Sequence, residues 1–294
     1  KGGKMREAFI PDTLDEALQI MTEKEVLPIA GGTDLMVQHR REGGISPKFE
    51  QPLLFLDKIE LLKKIEIKSG KLILGAGVLL KDLVNDSRIP YILKDTTRQM
   101  AAVTTRNVAT IGGNVSNASP AADTLPFLYL MNATLVLKST EKEREVPVSE
   151  FVTGPGQSCM KPNELLLEIR IPREKFHVEY YRKVGTRKAM ALSKLSFAGV
   201  ASFDENKLMD FRIALGAVAP KILRERDLET KLIGLSKSAI EKKMPELRES
   251  YSEYIQPIDD ARSTKEYRKM VSLDMIDAFI ENKILGSEHL KSGV

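Results

Sequence analysis

The chain has 294 residues and a mass of 32.8 kDa, room for about two domains at one to two hundred residues each. Hydrophobic residues make up 42% and charged residues 29%, an ordinary balance for a protein with a real core, and the net charge of +4 is too small and too evenly spread to argue for nucleic acid. The longest unbroken apolar run, residues 72–80, is far short of a membrane span, and no charged-then-apolar leader is visible, so a cytoplasmic protein that does not span a membrane is expected.

Residues 6–10 read as a short strand that Pro11 ends. Thr13-Leu14-Asp15-Glu16 is a capping box, with Thr13 as N-cap and Glu16 reaching back. Leu14, Ala17, Leu18 and Met21 then fall at i, i+3, i+4 and i+7, one helical face. Residues 26–30 form a buried-type strand running into Gly31-Gly32-Thr33-Asp34, and residues 53–56 form another. The unit is β-α-β-(helix)-β, which predicts a small parallel sheet. Residues 65–67 and 72–74, around Ser69-Gly70, make a hairpin. Helical patterns cover 80–86 and 90–101, followed by a long polar and small-residue stretch, 104–123. Residues 125–131 read as a buried helix. Residues 133–137, 145–148 and 165–171 read as antiparallel strands, with Glu141-Lys142-Glu143-Arg144 as a solvated hairpin end.

Pro172 and the charged stretch after it suggest a boundary near 175. Strands follow near 178–184, 197–203 and 208–217, with Asp204-Glu205-Asn206-Lys207 as the turn between the last two. Gly234 closes a helix as its C′ residue. Ser263-Thr264-Lys265-Glu266 opens another with a capping box, and Tyr267, Val271, Met275 and Phe279 line one face of it.

The reactive side chains are sparse. One cysteine, Cys159, excludes disulfides within the chain and zinc or iron–sulfur sites built from its own thiolates; its setting reads as incidental. The histidines, His39, His177 and His289, lie far apart with no HExxH-like spacing, so no metal site is expected, and there is no GxSxG. No catalytic side chain is assigned. A protein that borrows its reactivity from something bound is the reading that remains.

Two glycine-rich segments suit that role. The first is Ala30-Gly31-Gly32-Thr33-Asp34-Leu35, a strand end running into a turn. The second is Thr110-Ile111-Gly112-Gly113-Asn114, followed by Ala118-Ser119-Pro120-Ala121-Ala122-Asp123. Glycine pairs allow positive φ and close approach of another group. Successive N–H groups in such a turn form a concave donor array that suits a phosphate oxygen. Two such turns converging on one diphosphate would hold a dinucleotide without an arginine clamp. The plainer alternative is two unrelated tight turns, since neither matches GxGxxG before a helix or the P-loop. Gly75-Ala76-Gly77 is a further GxG, with Leu80 where a third glycine would be needed, and it reads as strand.

The two segments, in this order and about eighty residues apart, resemble those of the flavin-binding subunit of the molybdenum hydroxylases: the medium subunit of aerobic carbon monoxide dehydrogenase and the FAD domain of xanthine dehydrogenase and aldehyde oxidase. Phe9-Ile10-Pro11 resembles the family's opening, and Glu164-Leu165-Leu166 to Ile171-Pro172 the close of its flavin domain. Lys183-Val184-Gly185-Thr186-Arg187, Arg212 to Pro220 and Asp260-Ala261-Arg262-Ser263 resemble its C-terminal domain. The resemblance covers residues 5 to about 285. It implies an α+β fold: a two-subdomain, PCMH-type FAD-binding domain (5–58 and 59–175), then a C-terminal domain of a three-stranded antiparallel sheet with helices (176–290).

It also implies roles. The segments 30–35 and 110–114 would hold the diphosphate. Asp123 would bond a sugar or ribityl hydroxyl, or in the plainer reading cap the helix after it. Leu166 would lie against the cofactor and Lys183 near the flavin, where a cation favours a reduced, anionic ring. Met100 falls where related proteins carry an aromatic that packs on the cofactor. With no His or Cys in either segment, the FAD is expected to be bound non-covalently. The implied partners are a small iron–sulfur (2Fe–2S) subunit and a large molybdopterin subunit in a doubled heterotrimer. The implied reaction is electron transfer from those clusters through FAD to an external acceptor. Two other readings stay open: a stand-alone FAD-dependent reductase or oxidase of the same broad fold, and a nucleotide-binding assembly protein without turnover.

Overall fold

The computed structural model describes residues 7–40, 48–187 and 192–286; residue 6 of the first predicted strand and His289 lie outside them. The fold is α+β and is organised around three sheets.

The first sheet is parallel, in the order β1-β3-β2, from β1 (Ala8–Phe9), β2 (Leu27–Ile29) and β3 (Leu53–Phe55). Between the strands run α1 (Leu14–Glu23) and the single turn α2 (Leu35–Gln38). Thr13 caps α1 by accepting from the Glu16 N–H. Glu16 reaches back to the Asp12 N–H rather than to that of Thr13, so the predicted box closes one residue earlier. Leu14, Ala17, Leu18 and Met21 are buried against Leu54, Ile59, Leu62 and Leu165, each large side chain contributing about 1.5–3 kcal/mol.

The second sheet is antiparallel, in the order β4-β5-β10-β6-β7. Its strands are β4 (Ile65–Lys68), β5 (Lys71–Gly75), β6 (Thr134–Lys138), β7 (Glu143–Pro147) and, after the small hairpin β8 (Val152–Gly154) and β9 (Gln157–Ser158), β10 (Leu165–Pro172). Five short helices join β5 to β6: α3 (Leu80–Asn85), α4 (Tyr91–Arg98), α5 (Val103–Arg106), α6 (Ile111–Ser116) and α7 (Thr124–Leu130). A single turn, α8 (Val148–Phe151), follows β7. Two of these, α6 and all but the first residue of α5, lie inside the polar and small-residue stretch 104–123. α5 buries no residue, whereas Ile111 and Val115, four apart on α6, are both fully buried and face the core. Every residue of α7 is buried, as expected of a helix that is apolar all round.

The third sheet, β11 (Val178–Gly185), β12 (Ser193–Asp204) and β13 (Lys207–Gly216), is antiparallel in chain order. Side chains alternate across it. Leu195, Phe197, Phe211 and Ile213 pack under α9 (Arg226–Thr230), α10 (Lys237–Tyr254) and α11 (Lys265–Phe279). Tyr181, Ala198, Val200 and Ala214 join the core of the second sheet's helices. Gly234 (φ +80°) lies past the end of α9, donating to Leu208 O, and is not a helix C′. Thr264, not Ser263, caps α11, because Asp260 Oδ1 takes the Arg262 and Ser263 N–H groups and extends the turn. No helix among the described residues is long and apolar enough to cross a membrane.

Candidate functional site

The first glycine segment leaves β2 at Ala30 and turns into α2. A Cβ on Gly31 would lie 2.1 Å from Val108 O and 2.8 Å from Ala109 Cα, so only glycine lets this turn pass against the chain just ahead of Thr110. Gly32 has φ +66°, a conformation glycine adopts without steric cost. Among the described residues, the N–H groups of Gly31, Gly32, Thr33, Asp34 and Leu35 meet no acceptor. Asp34 fastens the turn: its Oδ2 accepts from Asn117 Nδ2 at 2.9 Å.

The second segment is a helix start rather than an open turn. Thr110 is the N-cap of α6, and its Oγ1 accepts from the Gly113 N–H at 3.0 Å. Ile111 and Gly112 donate to Val78 O and Ala76 O, and Asn114 to Thr110 O. The donors of residues 111–114 are therefore engaged within the chain, unlike those of the first segment. A Cβ on Gly112 would sit 2.4 Å from Ala76 O. The Gly75-Ala76-Gly77 run, read from sequence as strand, is strand only to Gly75; beyond it the chain forms the floor on which α6 starts. Gly75 and Gly77 in turn press on Leu62 O. Close backbone approach is the signal that marks this run, and it is invisible in a motif.

From Asn114 the site continues sideways. Its Oδ1 accepts from Thr124 Oγ1 at 2.6 Å, and Thr124 follows Asp123. Asp123 is buried at 7% exposure, and it makes no side-chain cap to α7. Its carboxylate accepts three bonds from the third sheet: Oδ1 from Tyr181 Oη at 3.0 Å and Ser193 Oγ at 2.6 Å, Oδ2 from Lys183 Nζ at 2.8 Å. The Lys183 and Asp123 side chains are 9% and 10% exposed. Burial, reinforced by the Asp123 charge, holds the Tyr181 phenol protonated well above its ordinary range. Tyr181 and Lys183 stand two apart on β11, hence on one face, but nothing local in the sequence pairs them with residue 123.

The far end of α7 is held as well. Arg212 and Arg224 both donate to Leu130 O, at 2.9 and 3.0 Å, cations where the helix dipole favours them; Arg224 is also paired with the buried Glu229. Leu166 and Met100 are both buried in the core of this region. Met100 O and Ala101 O accept from Arg106 Nη1, and Ala101 has φ +44°, so Arg106 props a strained turn that sequence reasoning missed. Two concavities lie away from the glycine segments, one of about 90 Å³ against Arg224 and Arg226 and one of about 540 Å³ beside His39 and Gln51. Among the described residues no group of three or more His, Cys, Asp or Glu is placed to hold a metal.

The arrangement fits a dinucleotide. Five consecutive N–H groups without acceptors suit the oxygens of a diphosphate, and each bond to such a charged group contributes about 1.5–3 kcal/mol. Gly31 and Gly112 let the two segments seat tightly on the chain at Val108 and Ala76, and a polar cluster of no net charge stands beyond the second segment.

Comparison with known proteins agrees. Residues 4–174 match the family described as FAD binding domain in molybdopterin dehydrogenase, and residues 179–282 match the CO dehydrogenase flavoprotein C-terminal domain. The glyceraldehyde dehydrogenase medium chain of Sulfolobus acidocaldarius is 28% identical over 88% of this chain and 92% of that one. The xanthine dehydrogenase FAD-binding subunit of Escherichia coli O157:H7 is 26% identical over 87% and 88%. The crystal structure of quinoline 2-oxidoreductase from Pseudomonas putida 86 has the same fold, with a TM-score of 0.85 at 21% identity over 98% of this chain and 100% of that one. With both of its parts matched and FAD as its cofactor, the chain belongs to the family of FAD-binding subunits of molybdenum hydroxylase-type dehydrogenases, and is an oxidoreductase component.

Proposed function

We propose that this chain takes electrons from the iron–sulfur clusters of a partner subunit and delivers them, through non-covalently held FAD, to an external acceptor. The observation that carries the reading is the row of unengaged N–H groups at 31–35 beside the capped start of α6. Bound FAD would supply the redox chemistry, accepting electrons singly and releasing them in pairs.

The chain's own residues bind and orient. Gly31 to Leu35 would take the diphosphate, while Thr110 to Asn114 form the facing wall. Among the described residues Lys183 is the one donor to Asp123 Oδ2, an oxygen that would suit a sugar or ribityl hydroxyl. Leu166 and Met100 would contribute apolar contact. Thr33 and its neighbours include no His or Cys that could form a covalent link.

The partners we propose are a small 2Fe–2S subunit and a large molybdopterin subunit, assembled as a doubled heterotrimer. The relatives support this in name only: medium chains of glyceraldehyde dehydrogenase and of the carbon monoxide dehydrogenase of Hydrogenophaga pseudoflava. Substrate choice would then lie in the large subunit. We further propose working units at 5–58, 59–175 and 176–290.

Purified chain incubated with FAD and gel-filtered tests the reading. Yellow protein, inert to organic substrates until both partners are added, is the expected result. Colourless protein would sink the reading, and reduction by a small organic substrate without partners would favour a stand-alone enzyme.

A further inference from the structure

The Asp123 cluster is more than a domain fastening. A buried lysine and a buried carboxylate, each about one-tenth exposed, face one another at 2.8 Å. Two further donors, Tyr181 and Ser193, hold the other carboxylate oxygen. Such a pair is tolerable in a low-dielectric interior only because every charge has a partner. It lies one residue from Thr124, which bonds Asn114 of the second glycine segment. A ligand beside that segment therefore meets a neutral pair, not a free ammonium.

We propose that Asp123 is the counter-ion of Lys183 in the flavin site, and that the pair rather than the lysine sets the charge the bound cofactor meets. The inference rests on the reading that FAD is held by the two glycine segments. Tyr181 and Ser193 are then positioning residues: they fix Oδ1 and so aim Oδ2 at the ammonium.

The sign follows from electrostatics. A cation near a group that gains electrons stabilises the reduced state and raises its midpoint potential, and an anion lowers it. Asp123→Asn leaves Lys183 uncompensated, Lys183→Met leaves Asp123 uncompensated, and the double variant removes both charges.

The test is to load wild type, D123N, K183M and the double variant with FAD, measure the FAD retained per chain, and titrate each midpoint potential. The expected result is an upward shift for D123N, a downward shift for K183M and a value near wild type for the double variant. Single variants that retain FAD and shift in the same direction, or not at all, overturn the inference while leaving the functional reading standing. A wild-type chain that takes up no FAD overturns both.

Should D123N fail to fold, the apo proteins still test the pairing. K183M strands a buried carboxylate, whereas the double variant removes both charges, so the double variant is expected to melt higher than K183M. A double variant that melts no higher than K183M would overturn the pairing.

Discussion

Gly31-Gly32 and Gly112-Gly113 are glycine pairs for different physical reasons. The first pair lies in a turn whose N–H groups are open to a ligand, and its second glycine is required by a positive φ. The second pair lies in the first turn of α6, where a capping threonine and the chain at 76–78 have already engaged the donors. In the proposed reading the first pair binds, while the second builds. The contrast matters because anion recognition by backbone amides needs a rigid support. The support here is Ala76 pressing on Gly112, and Val108 pressing on Gly31.

Changing the supporting glycine should have the largest effect. A Cβ at Gly112 would meet Ala76 O at 2.4 Å and Ala76 Cβ at 2.5 Å, neither the far end of a flexible side chain. Gly112→Val should therefore cost about 3 kcal/mol through overpacking and abolish FAD retention, as seen in urea unfolding and in the absorbance of gel-filtered protein. A variant with wild-type unfolding midpoint and full FAD content would show that the second segment is not the scaffold.

Gly32→Ala separates binding from building. Its cost in stability is about 1–2 kcal/mol for an L-residue held at positive φ, with Ile29 Cδ1 at 3.1 Å to be pushed aside. The fold should survive. FAD affinity should fall more than the stability loss alone explains, because the N–H groups of 31–35 lose their shared orientation. Gly32→Asn should be milder, since Asn visits this region more readily. Unchanged FAD affinity in Gly32→Ala would break the assignment of the first pair as the binding one.

How far the sequence carries such arguments depends on the range of the interaction. The Thr13 cap, the α1 face and the hairpin at Ser69-Gly70 are local, and their periodicity and turn chemistry are legible residue by residue. A shared role for residues 31 and 112 is suggested only by family resemblance, since each turn alone has an ordinary structural explanation. The different state of the two donor sets was not legible. It depends on Val78 O and Ala76 O, more than thirty residues from α6 in the chain. The Asp123 cluster was half legible: Asp123 and Lys183 stand in recognisable motifs, but Tyr181 and Ser193 become its partners only when β11 and β12 pack on α7. The run 75–77 was misjudged because close backbone contact, not a motif, is what requires its glycines.

Thr110→Ala probes the cap that closes the second donor set. It removes the acceptor of the Gly113 N–H and should cost about 1 kcal/mol, the usual value of a lost N-cap, with Thr110→Ser restoring most of it. If α6 is held by its cap as well as by the burial of Ile111 and Val115, amide exchange at Gly113 and Asn114 should quicken in the Ala variant and return in the Ser variant. Exchange that stays slow in both would assign the order of α6 to the floor at 76–78 alone.

The smallest expected change in stability, at Gly113, is the sharpest test within the second pair. Its neighbour's Cβ site is filled by Ala76, but a Cβ on Gly113 would meet only Thr110 Oγ1, at 3.0 Å. Alanine gains up to about 1 kcal/mol over glycine in a helix, and pushing the cap oxygen aside by a few tenths of an ångström takes some of that back. Unfolding should therefore move by no more than about 0.5 kcal/mol. The same methyl group would otherwise stand in open space, where a diphosphate held against both segments would meet it. FAD affinity should fall in Gly113→Ala while urea stability holds, the reverse of the balance at Gly112. Equal FAD affinity in Gly113→Ala and wild type would mean that the second segment supports the first without touching the cofactor, leaving the open N–H groups of 31–35 as the whole of the phosphate site.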